Sequence, residues 1–95
     1  MDGTYNLTMM TPAGVQKGSI QIKTQGSEFI GQVHFMGMKK EVRGKVNGNK
    51  FEFEDDVRVL TAHVTFRVHG HTDGKTLTAQ ADTNLGKYEI KGLKA

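Results

Sequence analysis

Four histidines, His34, His63, His69 and His71, are the side chains of this 95-residue sequence that suit metal binding or proton transfer near neutral pH. His63, His69 and His71 fall within nine residues. In an extended strand His63 and His69 share a face but stand about 20 Å apart at ~3.3 Å per residue, too far to hold one ion. His69 and His71 converge with Asp73 near a turn, and this two-nitrogen, one-oxygen set is the metal candidate. The competing reading is a solvated turn with His63 paired to Asp82 on the surface, and it is the one adopted, so no metal or other cofactor is expected.

Asp55 has the parity of Phe51 and Phe53, so a strand that continues through it turns a carboxylate inward. In an apolar pocket such a group has a raised pKa and serves as a general base or ligand anchor, which makes Asp55 the catalytic candidate. The alternative is that Asp55-Asp56 opens a turn with both carboxylates in water. Tyr5 and Tyr88 lie toward opposite ends of the chain, on strands expected to meet where a sheet closes, and each offers a hydroxyl to a ligand or to the core.

Other chemistry is excluded by composition. There is no cysteine, hence no disulfide, thiolate metal site, iron–sulfur cluster or cysteine nucleophile. Of the two serines, Ser27 sits in a hairpin loop and Ser19 has surface parity, and no histidine is expected beside either, so a Ser-His-Asp arrangement is not assembled. The glycines occur in no strand–G-x-G-x-x-G–helix or phosphate-loop context. A formal charge of +3 raises nucleic acid as a partner, but the five phenylalanines have inward parity and Lys alternates with Glu, so the stacking platform is missing. Lys39-Lys40 and Lys87, Lys91 and Lys94 read as solubilising surface. The start Met1-Asp2-Gly3-Thr4-Tyr5 lacks the basic and apolar segments of a signal peptide, so a cytoplasmic protein is expected, with no membrane partner.

The elements that position these residues are strands. Twelve glycines fall at nearly regular intervals between segments of alternating polarity, and no segment carries a helical period. Gln25-Gly26-Ser27-Glu28 and Asn47-Gly48-Asn49-Lys50 have the composition of two-residue type II′ hairpins, and His71-Thr72-Asp73-Gly74 that of a four-residue turn. Return turns are expected at Thr11-Pro12-Ala13-Gly14, Met36-Gly37-Met38, within Asp55 to Arg58, and at Thr83-Asn84-Leu85-Gly86. The strands are then 3–11, 15–25, 28–36, 39–47, 50–56, 59–70, 75–83 and 86–94.

Register follows from matching apolar with apolar and plus with minus. This pairs Val46 with Phe51, Lys45 with Glu52 and Arg43 with Glu54. It pairs Ile22 with Gly31 and Ile20 with Val33. Around the third turn it pairs Val68 with Leu77, Phe66 with Ala79, Val64 with Ala81 and His63 with Asp82. The inward set is Tyr5, Leu7, Met9, Ile20, Ile22, Phe29, Val33, Phe35, Val42, Val46, Phe51, Phe53, Leu60, Val64, Phe66, Val68, Leu77, Tyr88 and Ile90. Eight such strands close most economically into a single all-β, antiparallel up-and-down β-barrel over residues 1–95, with the first strand paired to the last. A partly open sandwich is the alternative. The polar outer face argues against an outer-membrane barrel.

Gly3-Thr4-Tyr5-Asn6-Leu7-Thr8-Met9-Met10-Thr11-Pro12-Ala13-Gly14, Gly18-Ser19-Ile20, Phe29-Ile30-Gly31 and Gly44-Lys45-Val46-Asn47-Gly48-Asn49 together resemble a small bacterial β-barrel module. The pattern is similar to uncharacterised stand-alone proteins and to modules at the C-termini of flavin-dependent oxidoreductases. The resemblance spans nearly the whole chain, rests on turn and strand signatures, implies the fold and transfers no catalytic residue. The ending Gly92-Leu93-Lys94-Ala95 departs from the Gly-Thr-Arg-like ending of that pattern. Likeness to lipocalin-type barrels is one of architecture.

Three functions fit this reading. The first is a binding module that holds an apolar small molecule in the barrel or its mouth, lined by Tyr5, Leu7, Met9, Val33, Phe35, Phe53, Val64, Phe66, Ala79 and Tyr88, with Gly31, Gly44, Ala62, Ala79 and Ala81 leaving room. The second is an accessory protein with a filled barrel that self-associates or docks on an enzyme through Met9, Met10, Met36 and Met38 and an outer patch of Ile30, Met10 and Met36. The third is a small proton-transfer or cyclisation enzyme using Asp55.

Overall fold

Alternating inward and outward side chains build every element of this chain. The computed structural model describes residues 2–11, 14–35, 37–59 and 62–95, and of Val57, Val59 and Ala62 the backbone only. The strands are β1 Gly3–Thr11, β2 Gly14–Gln25, β3 Glu28–Phe35, β4 Met38–Asn47, β5 Lys50–Val59, β6 Ala62–Thr72, β7 Thr76–Thr83 and β8 Gly86–Lys94. They pair antiparallel in chain order and form a closed barrel, so the open sandwich is ruled out. Closure runs from Tyr5 opposite Lys94 to Met10 opposite Glu89, and the Ala95 N–H donates to the Thr4 carbonyl at 2.8 Å. The departure at Gly92-Leu93-Lys94-Ala95 therefore leaves the last strand paired on both sides.

The first two hairpins have the expected register. Ile22 lies opposite Gly31 and Ile20 opposite Val33, and Lys45 lies opposite Glu52 and Val46 opposite Phe51. Gly26 and Gly48 open their two-residue loops at φ 62° and 64°, a conformation that a side chain would strain.

The third hairpin differs from expectation. Val68 faces Ala81, Gly70 faces Ala79 and Arg67 faces Asp82, while Leu77 faces Thr72. The cause is the turn, which starts at Asp73: the Asp73 carboxylate accepts the N–H groups of Lys75 at 2.9 Å and Thr76 at 2.7 Å. Moving the turn by two positions slides the pairing by four, which preserves which face each residue occupies. The return turn expected within Asp55 to Arg58 is also absent. β5 continues, with Asp55 opposite Phe66 and Arg58 opposite His63, held outside by Arg67–Glu54 at 2.7 Å. The turn residues Pro12, Ala13, Met36, Leu60 and Thr61 lie outside the described residues.

One ladder is short. β5 and β6 pair over ten residues, whereas β4 and β5 pair only from Asn47 opposite Lys50 to Gly44 opposite Phe53. Beyond that point the two strands run on as a seam, each paired only on its other side. Arg43 and Glu54 fall past the end of the ladder, and each forms its ion pair elsewhere, Arg43 with Glu41 at 3.8 Å.

The core fills the half of the barrel that carries the chain ends and the β2–β3, β4–β5 and β6–β7 turns. Tyr5, Phe29 and Val42 are wholly enclosed there. Phe29 meets Phe51 and Phe53 edge to face, with centroids 6.0 and 5.9 Å apart, and Phe53 meets Phe66 likewise at 6.2 Å. Four of the five expected gaps are taken up, the side chain of Ala62 lying outside the described ones: a Cβ at Gly44 would sit 2.7 Å from both Phe29 and Phe53, and one at Gly31 3.1 Å from Val42. Ala79 and Ala81 are buried in the same cluster.

Candidate functional site

The two ends of the barrel differ. At the filled end Tyr5 crosses the floor, and its hydroxyl is hydrogen-bonded to that of Thr72 at 3.2 Å. Tyr5 and Tyr88 do not converge, although their strands are neighbours. Lys94 is the residue opposite Tyr5, and Tyr88 stands six residues back along β8, about 20 Å away at ~3.3 Å per residue. Tyr5, Leu7, Phe53 and Ala79 belong to the closed core, so four of the ten residues expected to line a ligand site pack against protein instead.

The remaining six gather at the opposite end. Met9, Val33, Phe35 and Phe66 are half-buried against the top of the core, and Val64 and Tyr88 are half-buried on β6 and β8. Each sits on the part of its strand nearest the β1–β2, β3–β4, β5–β6 and β7–β8 connections, and each has inward parity. The Tyr88 hydroxyl has no hydrogen-bond partner among the described residues.

Two charges join them. Asp55 faces inward because β5 continues past it, and its carboxylate meets the Lys40 ammonium at 3.4 Å, with the two side chains 25% and 35% exposed. Lys40 reads from the sequence as solubilising surface, but Val33 is its register partner, which puts it on the inward face. The pair bridges the seam between β4 and β5. Asp55 is thus ion-paired rather than isolated in an apolar pocket, and its Oδ1 also accepts the Asp56 N–H at 2.8 Å. Inward charges on a strand are hard to see in a sequence; the even parity of Lys40 with Val42 and Val46 is the available signal.

The other candidates stay apart. Among the described residues no three His, Asp or Glu side chains come together as a metal site. His69 faces Glu52 and Gln80 and His71 faces Lys50 and Thr78, while the carboxylate of Asp73 is committed to its own turn. His63 pairs with Asp56 and not with Asp82, because it lies above the end of the β6–β7 ladder. That hydrogen bond holds the Asp56 carboxyl below its usual range, with the nearby Lys40 ammonium adding to it. Ser19 does have a histidine beside it: His34 is its register partner, a consequence of the Ile20–Val33 pairing. The two are flanked by Asn6 and Lys39, and among the described residues no carboxylate orients the ring and no hydrogen bond joins them, so no triad forms there.

On the outer wall Met10 and its partner Val15 are both exposed. Ile30 is half-buried between Lys23 and Arg43 near the other end of the barrel, so it does not extend a patch from Met10. Met38 shares the half-buried end with Met9 and Met10, and Met36 lies outside the described residues. All described aromatic rings face inward, and no helix among the described residues is long and apolar enough to cross a membrane.

No protein-family model and no curated protein matches this sequence. Among solved structures, the fold is similar to a redesigned β-barrel, mFAP1, bound to DFHBI, at 14% identity and TM-score 0.71, covering 99% of this chain and 94% of that one. A second redesigned barrel, b11L5F_LGL, is 12% identical at TM-score 0.67, covering 99% of this chain and 90% of that one. A third, a fluorescence-activating β-barrel designed de novo, is 12% identical at TM-score 0.52, covering 100% of this chain and 94% of that one. At these identities the likeness is one of fold.

Proposed function

We propose that this protein is a binding module that takes an apolar small molecule at the open end of its barrel, among Met9, Val33, Phe35, Val64, Phe66 and Tyr88. The observation that carries the reading is the asymmetry of the interior. Inward apolar side chains at the Tyr5 end are enclosed, with Val46 beside the β4–β5 turn as the half-buried exception, whereas at the other end Met9, Val33, Phe35, Val64, Phe66 and Tyr88 are all half-exposed. Water in contact with that apolar lining is released when an apolar ligand covers it, at about 25 cal/mol per Å² buried. The unpartnered Tyr88 hydroxyl supplies an orienting group of the kind such sites carry. The capture of DFHBI by mFAP1, a barrel of the same fold, supports the reading by analogy of architecture.

The test is a fluorescence titration with N-phenyl-1-naphthylamine, a neutral apolar dye. Saturable enhancement is expected, and Val33→Trp, which puts a bulky ring among the proposed lining residues, should weaken it about tenfold or more, ~1.4 kcal/mol. Absence of saturable binding, or equal binding by a folded Val33→Trp, would overturn the proposal.

A further inference from the structure

The Lys40–Asp55 pair says more about the ligand than that it is apolar. The inference rests on the open end being a small-molecule site, and it concerns which molecules that site prefers. The ammonium of Lys40 has three N–H donors and, among the described residues, one loose contact at 3.4 Å, longer than the ~2.7–2.9 Å of a well-formed charge-assisted bond. On the carboxylate, Oδ1 takes both that contact and the Asp56 N–H, while Oδ2 accepts no hydrogen bond from the described residues. The wall therefore shows an incoming molecule a free donor and a free acceptor side by side, in a pair whose own charges cancel.

Each class of ligand meets this pair differently. An anion or a cation competes for one partner and leaves the other charge half-buried and uncompensated. A hydrocarbon covers both groups and pairs neither, which costs their hydration without return. An uncharged C(=O)–N–H edge satisfies both at once, its carbonyl accepting from Lys40 and its N–H donating to Asp55 Oδ2. The neighbours of the pair set the shape of the rest: Val33 is the register partner of Lys40 and Phe66 that of Asp55, so apolar and aromatic surface flanks the edge on both sides. We infer that the open end of the barrel prefers flat, uncharged aromatic lactams, held edge-on by Lys40 and Asp55.

Displacement of N-phenyl-1-naphthylamine from the wild-type chain tests this with four competitors: quinolin-2(1H)-one, its N-methyl analogue, 1-naphthoate and 1-naphthylmethylammonium. The lactam should bind about tenfold tighter than the N-methyl analogue, the value of one hydrogen bond to a charged acceptor, and tighter than either ion. In Lys40→Met/Asp55→Leu the ratio of lactam to N-methyl affinity should fall to near one. Equal affinities of the two quinolinones, tighter binding of either ion, or a ratio that survives the double substitution would each overturn the lactam preference while the dye still reports an apolar site. Failure of the dye to bind would instead remove the underlying reading, and this inference with it.

Discussion

Thr72 and Tyr5, distant in sequence, meet through their hydroxyls at 3.2 Å on the floor of the barrel. Thr72 Oγ1 donates its one hydrogen to the Thr76 carbonyl at 2.7 Å and accepts the Gly74 N–H at 3.1 Å. One buried oxygen thus ties β1 to the β6–β7 turn. Thr72→Val keeps the shape and removes all three bonds, and should cost about 2–3 kcal/mol at ~1 kcal/mol each. Tyr5→Phe should cost about 1 kcal/mol. Urea denaturation of both variants checks the ranking; a larger loss in Tyr5→Phe would mean that the Tyr5 hydroxyl, and not the turn bonds made by Thr72, sets the stability of this end.

Phe29 is the hub of the aromatic cluster, edge to face with both Phe51 and Phe53. Phe29→Leu forfeits two ring contacts worth ~0.5–1.5 kcal/mol apiece, so a loss of about 1–3 kcal/mol is expected. The same denaturation experiment reads it, and a loss below 0.5 kcal/mol, roughly the lower bound for one such pair, would show that the rings contribute only bulk.

Gly44 is where β4 and β5 stop pairing. A Cβ there would collide with the Glu52 carbonyl and stand 2.7 Å from the Phe29 ring. Gly44→Ala must push the strands apart at the end of their shortest ladder, and a cost of about 3 kcal/mol, the upper range for overpacking, is expected. Thermal unfolding measures the loss, and a neutral outcome would show that the seam yields freely.

The Asp73 carboxyl is held below its usual range by the N–H groups of Thr76 and Lys75. A lowered folded pKa contributes stability that is present above the unfolded value and is lost as pH falls through the folded one. Urea midpoints should therefore fall on moving from pH 7 toward pH 3. Asp73→Asn keeps an oxygen acceptor for the turn but cannot titrate, so its acid loss should be smaller than that of the wild type. An identical pH profile in the variant would assign the acid limb to Asp2 and Asp56, whose carboxyls are lowered by Thr24 and His63 respectively.

The sequence was most legible where one rule acts alone. Period-two alternation sorts faces whatever the register, so the inward set survives even around the third turn, where the pairing itself is displaced by four. That displacement arose because His71-Thr72-Asp73-Gly74 has turn composition throughout, and only the bonds made by the Asp73 carboxylate and the Thr72 hydroxyl fix where the chain reverses. The half-buried end was legible in part. Met9, Val33, Phe35, Val64, Phe66 and Tyr88 follow from parity, while Tyr5, Leu7, Phe53 and Ala79 share that parity and differ only in depth along the barrel, which alternation does not encode. Lys40 was hidden because charge is a strong signal for an outer face, and its inward position is tolerated only beside Asp55.

The short ladder between β4 and β5 also sets how the molecule moves. Seven of the eight ladders join sequence neighbours and the eighth joins the two ends of the chain, yet the weakest join lies mid-chain. The barrel is in effect two four-stranded halves, hinged along β1 and β8 and clasped at the middle by a few hydrogen bonds and one ion pair. Its easiest opening is that of a clamshell whose free edges are β4 and β5, so backbone amides facing that seam exchange with water through local opening, while those between β1 and β8 wait for the fold itself to come apart.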